Sequence, residues 1–136
     1  MTIKDRFTPQ LEGQDMLGGK GKWVARMLFQ GEIAPTKACA HMILEPGTYA
    51  GYHQHHTQDS ILYILSGTAE HYQDGERCIL ESGDAVLVKS GHPHAAKNIG
   101  DTELEVLEFL ADPIGENPSG SSVTCLPLPD VLADWV

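Results

Sequence analysis

Residues 47–67, GTYAGYHQHHTQDSILYILSG, and residues 83–98, GDAVLVKSGHPHAAKN, together hold five of the chain's seven histidines. On a strand, residues i and i+2 share a face, so His53 and His55 direct both imidazoles to one side, about one pleat apart. That spacing chelates. A third imidazole from a distant strand, His94, closes a set of three nitrogens suited to zinc, iron, nickel or copper, with positions left for water or substrate. A lone strand histidine is more often a surface or hydrogen-bonded core residue. Here the clustering is the signal.

Outward from these stretches, short apolar and β-branched runs recur between turn signals: WVARMLF, KACAHMIL, SILYIL, GTAEHYQ, RCIL, DAVLV and TELEVLEFL. The rhythm is all-β. Glu45-Pro46-Gly47, Asp74-Gly75, Ser82-Gly83-Asp84 and Asn98-Ile99-Gly100-Asp101 supply the turns, and Asp74-Gly75 is the clearest hairpin. No interior stretch keeps a 3.6-residue period over three turns, and no strand–helix–strand alternation is present. Strands of this number and length pair as a barrel or sandwich.

This reading gives one domain with its barrel over residues 22–110. Residues 1–21, rich in glycine, form an irregular lead-in. Residues 111–136 form a tail whose first part, ADPIGENPSGSSVT, is a surface excursion. Its end, Pro129 to Val136, is expected as a short helix capped by Asp130. Leu132 and Trp135 then share one side, to dock on the barrel or on a partner subunit.

At 136 residues, with 41% hydrophobic and 21% charged, the chain has the composition of a packed globular domain. Nine basic against 19 acidic residues give a net charge of -10, which repels nucleic acid and anionic membranes. Cys39, Cys78 and Cys125 show no C-x-x-C spacing, and an odd count leaves one unpaired. With no signal-peptide h-region in the opening residues and no apolar run of membrane-spanning length, a cytoplasmic setting is expected.

The spacing of both stretches carries a resemblance. Gly47, five residues, His53, one, His55, four, Ser60, six, Gly67 resembles the first signature of the cupin superfamily, G-x5-H-x-H-x3,4-E-x6-G. Gly83, five residues, Lys89, one, Gly91, two, His94, three, Asn98 resembles the second, G-x5-P-x-G-x2-H-x3-N. Two positions depart in side chain and none in spacing. The resemblance implies a single-domain, jelly-roll type β-barrel holding one divalent metal through His53, His55 and His94.

Lys89 in place of proline changes loop rigidity only. Ser60 stands where metal-binding cupins place a glutamate ligand, and a serine hydroxyl is a poor ligand for a divalent cation. Asp59, one position earlier, fits the shorter form of the signature, although strand alternation that points Ser60 inward points Asp59 outward. Gln58 and His56 are further candidates.

A three-His site without a carboxylate resembles the thiol and diketone dioxygenases of the superfamily. That implies a ferrous ion, with zinc, manganese or nickel as alternatives, and a small chelating substrate. A metal-dependent isomerase, epimerase or lyase is the second reading, and a non-catalytic small-molecule or metal sensor the third. Tyr63 and His41 are the candidate catalytic residues. Tyr49, Glu70 and His71 lie on segments that line or flank the barrel. By resemblance a homodimer is expected.

Overall fold

In the computed structural model, the residues described are 9–29, 32, 36–111 and 123–136. Eleven strands follow one another: β1 Leu11–Gln14, β2 Lys22–Met27, β3 Thr36–Leu44, β4 Tyr49–His55, β5 Asp59–Ser66, β6 Thr68–Gln73, β7 Glu76–Glu81, β8 Ala85–Val88, β9 His94–Asn98, β10 Leu104–Ala111 and β11 Val123–Cys125. They form two antiparallel sheets, ordered β1-β2-β3-β10-β5-β8 and β11-β4-β9-β6-β7. The expected all-β jelly-roll architecture is present, as a pair of sheets. Among the described residues one isolated bridge pairs Lys20, just before β2, with Tyr49 of β4.

The turns form where their chemistry places them. Asp74 (φ 53°) and Gly75 (φ 80°) are both left-handed, as a two-residue hairpin requires, and join β6 to β7 with Gln73 opposite Glu76. Gly67, at φ 92°, would press a Cβ against the Glu103 carbonyl oxygen at 2.8 Å, so the turn between β5 and β6 excludes larger residues. Asn98 is fully buried, and its amide donates to the carbonyls of Leu44 (3.0 Å) and Thr102 (2.9 Å). It thereby ties the end of β3 to the loop entering β10.

Between the sheets, Leu44, Leu62, Ile64, Leu104 and Val106 meet Ala69 and Leu80, with Trp23, Met42 and Val86 packed against them. A second cluster lies on the outer face of the five-stranded sheet. Leu132 and Trp135, both buried, cover Tyr49 and Ala95. Within the chain, the end of the tail packs on this sheet. The Trp135 indole N–H donates to Glu70 at 2.6 Å, and Arg77 bridges Glu70 (2.6 Å) and Asp134 (2.8 Å).

Two expectations need correction. The lead-in is not irregular throughout: Leu11–Gln14 pairs with β2, and Met16–Gly18 makes a 3-10 turn packed on β4. The C-terminal helix is a 3-10 segment, Asp130–Trp135, preceded by Pro129 and without a side-chain cap, so Asp130 is its first residue and not its cap. Most of the Gly-, Pro- and Ser-rich excursion after Leu110 falls outside the described residues. The three cysteines are free, and among the described residues no helix is long and apolar enough to cross a membrane.

The 3-10 turn reaches β4 because Gly51 has no side chain. A Cβ there would meet the Leu17 carbonyl oxygen, and the Gly18 carbonyl carbon at 2.8 Å, both backbone atoms that cannot swing aside. Gly51→Ala is expected to cost about 1–3 kcal/mol, the usual range for overpacking, measured by urea unfolding. A second outcome concerns pH. The Arg77 guanidinium, against the opposing effect of burial and with help from the Trp135 indole, holds the Glu70 carboxyl below its ordinary range. The sign follows: this stability is fully present above the unfolded glutamate pKa, about 4.3, and is lost as pH falls through the lower folded value. Glu70→Gln should melt below wild type at pH 7, and the gap should close between pH 5 and pH 2.

Candidate metal centre

Strand β4 does not run with one parity. It pairs with β9 as Tyr49 opposite Lys97 and Ala50 opposite Ala96, then slips by one residue so that His53 stands opposite His94. A bulge of this kind re-aims side chains. Ala50 faces the inter-sheet cavity before it, and His53 and His55 face the same cavity after it. Tyr49 and Tyr52 join the outer cluster beneath Trp135. Without the slip, Tyr52 and Gln54 would point inward.

The three rings meet in the lining of the cavity. Their centroids lie 4.2 Å apart for His53 and His94, 5.1 Å for His53 and His55, and 5.7 Å for His55 and His94. One ring nitrogen from each falls within 4.8 Å of the others, and all three residues are buried. The His53 Nδ1–H donates to the Gly51 carbonyl at 2.6 Å, and the His94 Nδ1–H to the His92 carbonyl at 3.1 Å. Each bond fixes a neutral tautomer whose Nε2 lone pair is free. His55 Nδ1 is buried with no hydrogen-bond partner.

Burial lowers all three pKa values, reinforced by the neighbouring imidazoles: His53 to about 4, His94 to about 3, and His55 below its ordinary value. The triad is neutral at pH 7. Three neutral, convergent nitrogens are the donor set a divalent metal requires, and their chemistry and geometry fit that group. Near the motif, the Gln58 amide and the Ser60 hydroxyl are also buried without partners.

The structure moves three candidates away from the centre. Asp59 is held by Lys89 Nζ at 2.7 Å and the Ser90 N–H at 2.8 Å. Burial alone would raise its carboxyl, but these two donors keep it below its ordinary value. Both oxygens are engaged away from the triad, so Asp59 is corrected from possible ligand to loop anchor. Tyr63 is 39% exposed on the outer face of β5, while Leu62 and Ile64 point inward. His41 likewise faces outward on β3 and pairs with Glu105 at 2.6 Å. Strand parity excludes both from the cavity, and the catalytic assignments to Tyr63 and His41 are withdrawn. His56 is exposed and bonds Thr124.

Two residues not assigned a role from sequence do line the cavity. His71 on β6 is buried, with its ring 5.9 Å from that of His94 and its Nε2 2.9 Å from the Gln73 amide oxygen. Burial lowers its pKa. Glu108 on β10 stands across the cavity, on the six-stranded sheet, and burial pushes its carboxyl up to about 7. The alternation Leu104, Val106, Glu108 carries the signal: an ionisable residue on the apolar side of a strand. The other lining residues are apolar, and the cavity holds about 90 Å3. A larger groove of about 480 Å3, lined by Glu12, Trp23, Glu45 and Glu103 among others, contains no histidine.

With this geometry established, comparison with known proteins is informative. Residues 40–110 match the cupin domain family. An oxalate-binding protein of Thermotoga maritima is 36% identical over 98 residues, covering 71% of this chain and 81% of that protein. A dimethylsulfoniopropionate lyase of Ruegeria pomeroyi is 38% identical over 97 residues, covering 63% of this chain and 48% of the lyase, about half its length. Among solved structures, a predicted oxalate decarboxylase of Thermotoga maritima superposes with a TM-score of 0.77 at 29% identity, over 83% of this chain and all 100% of that one. Two facing antiparallel sheets, a buried three-His cluster and the matched family place this chain in the cupin superfamily, as a small single-domain member.

Proposed function

We propose that this chain is a metal-dependent enzyme acting on a small, anionic, chelating molecule, with His53, His55 and His94 as the metal-holding residues. The carrying observation is the buried, neutral triad that lines a small, largely apolar cavity. Neutral ligands leave the full +2 charge of a bound ion in place, so the centre attracts an anion despite the chain's net charge of -10. A volume of about 90 Å3 admits a few heavy atoms only, far below the roughly 300 Å3 at the lower end for drug-sized ligands. The relative that binds oxalate makes a short dicarboxylate the first ligand to try.

When bound, a ferrous ion in such a set supplies redox chemistry with molecular oxygen, whereas zinc, manganese or nickel supplies Lewis acidity. The ferrous, dioxygenase-like oxidoreductase is the first reading, supported by a triad that contains no carboxylate. The lyase or isomerase reading is favoured by a different observation: His71 and Glu108, two groups able to move a proton, line the same cavity. The apolar wall excludes water and strengthens each polar contact made inside it.

A homodimer fits the outer face of the six-stranded sheet. Phe109 (41% exposed), Ile61 (45%) and Leu87 (57%) stand in register across β10, β5 and β8. An exposed apolar row of this kind marks an association surface. Sedimentation should give twice the 14.8 kDa chain mass, and Ile61→Glu combined with Leu87→Glu should give the monomer.

Elemental analysis of protein purified without a chelating tag tests the centre. Near-stoichiometric transition metal is expected in the native chain and in Asp59→Ala, with at least a tenfold loss of affinity in His53→Ala and His94→Ala. Native protein that stays metal-free after reconstitution would overturn the proposal. Oxygen uptake by the iron form with a chelating substrate separates the first reading from the second.

A further inference from the structure

Glu108 departs from the apolar pattern of its neighbours. Along β10 the inward residues Leu104 and Val106 are buried and apolar, and Glu108 is the next in that series. Its cross-strand neighbours are Ala40 on β3 and Leu62 on β5, neither of which carries a polar side chain. Glu108 is half-buried and lines the cavity, an ionisable side chain where the strand's other inward residues are apolar. Glu12, Glu45 and Glu103 line an outer groove, and Glu70 and Glu105 have cationic or histidine partners. Glu108 has none that would explain its position structurally among the described residues.

The cavity supplies the explanation. Among the described residues Glu108 is its one carboxylate, and the other titratable groups lining it are His53, His55, His71 and His94, all on the five-stranded sheet. The remaining lining residues, including Met16 and Leu17 from the 3-10 turn, are uncharged and apolar in side chain. A ligand held at the triad therefore has the imidazoles on one side and Glu108 on the other. Resting on the metal-centre reading above, we infer that Glu108 is the catalytic proton-transfer residue of this site, acting on a small anion that carries a C–H bond beside its chelating carbonyl or carboxylate. The C–H bond breaks, its proton moves to a Glu108 carboxylate oxygen, and its electron pair stays on the substrate as an enolate. Return of the proton to carbon, or loss of a leaving group from the enolate with that proton, closes the reaction without an external oxidant. Burial that raises the Glu108 carboxyl to about 7 suits a group that must both take and give a proton near neutral pH.

Zinc-loaded protein tests this with two probes: oxalate, which has no C–H bond and reports binding only, and acetoacetate, whose exchangeable C–H protons are followed by NMR in deuterium oxide. Wild type should bind zinc and oxalate and accelerate deuterium incorporation into acetoacetate above the rate with free zinc. Glu108→Gln should keep zinc content and oxalate affinity within about twofold, and lose exchange by at least about 100-fold. Its melting temperature should not fall, because a neutral amide replaces an unpartnered carboxyl. Glu108→Asp should retain part of the exchange, and the wild-type pH profile should show a limb near neutrality that the glutamine variant lacks. Exchange that persists in Glu108→Gln overturns the inference, as does wild type that binds zinc and oxalate yet exchanges nothing; both leave the metal centre standing. Wild type that binds no zinc overturns the metal-centre reading, and the inference with it.

Discussion

The pairing slip between β4 and β9 is the constraint on which the site depends. A strand has a side-chain period of two, so a one-residue shift exchanges its faces completely. Here the exchange happens between Ala50 and His53. Upstream of it Tyr49 belongs to the outer surface, where Trp135 lies against it with ring centroids 5.6 Å apart. Downstream, His53 and His55 belong to the interior. One strand thus serves two packing problems, and Gly51, at the slip, gives the 3-10 turn room to seat beside it. The turn brings Met16 and Leu17 to the cavity, so a segment from the lead-in completes the wall opposite the sheets.

Clustering imidazoles this closely is tolerable only when they are uncharged. Desolvation disfavours each imidazolium, and each charge would raise the cost of the next. The two backbone carbonyls that accept from His53 and His94 oppose this slightly, since they favour the protonated ring. Burial wins by a wide margin for both. The result is a set of three neutral nitrogens held in that protonation state by burial. On the surface, Asp59 and Asp74 are paired with Lys89 and His92.

Much of this was legible in the amino-acid sequence, for physical reasons. Gly47, Gly67, Gly83 and Gly91 all take positive φ, and Asn98 ties the end of β3 to the loop entering β10 with one amide, so the spacing of these residues encodes turn geometry directly. The three histidines were legible because their spacing, and not any one of them, is improbable. What was not legible depends on parity across strands. His41 and Glu108 occupy opposite faces of neighbouring strands, and from a run such as KACAHMIL alone either face can be the inner one. The ladder resolves this by placing Ala40, Met42 and Leu44 inward. β1 escaped notice because Leu-Glu-Gly-Gln has a weak strand pattern and gains its place by pairing along β2.

Parity also explains why the two carboxylates nearest to the question of coordination have such different surroundings. Asp59 and Ser60 are consecutive on β5, so only one can face inward, and the inward position carries a hydroxyl. The outward carboxylate is captured by Lys89, the residue that departs from proline in the second signature, and by the backbone of Ser90. The two departures from the family pattern are therefore neighbours in space: register places Ser60 opposite Val88, one residue before Lys89. With the lysine present, the adjacent aspartate anchors the loop that leads to His94. Among the described residues the carboxyl that lines the cavity is Glu108, on the six-stranded sheet, where burial pushes it up to about 7.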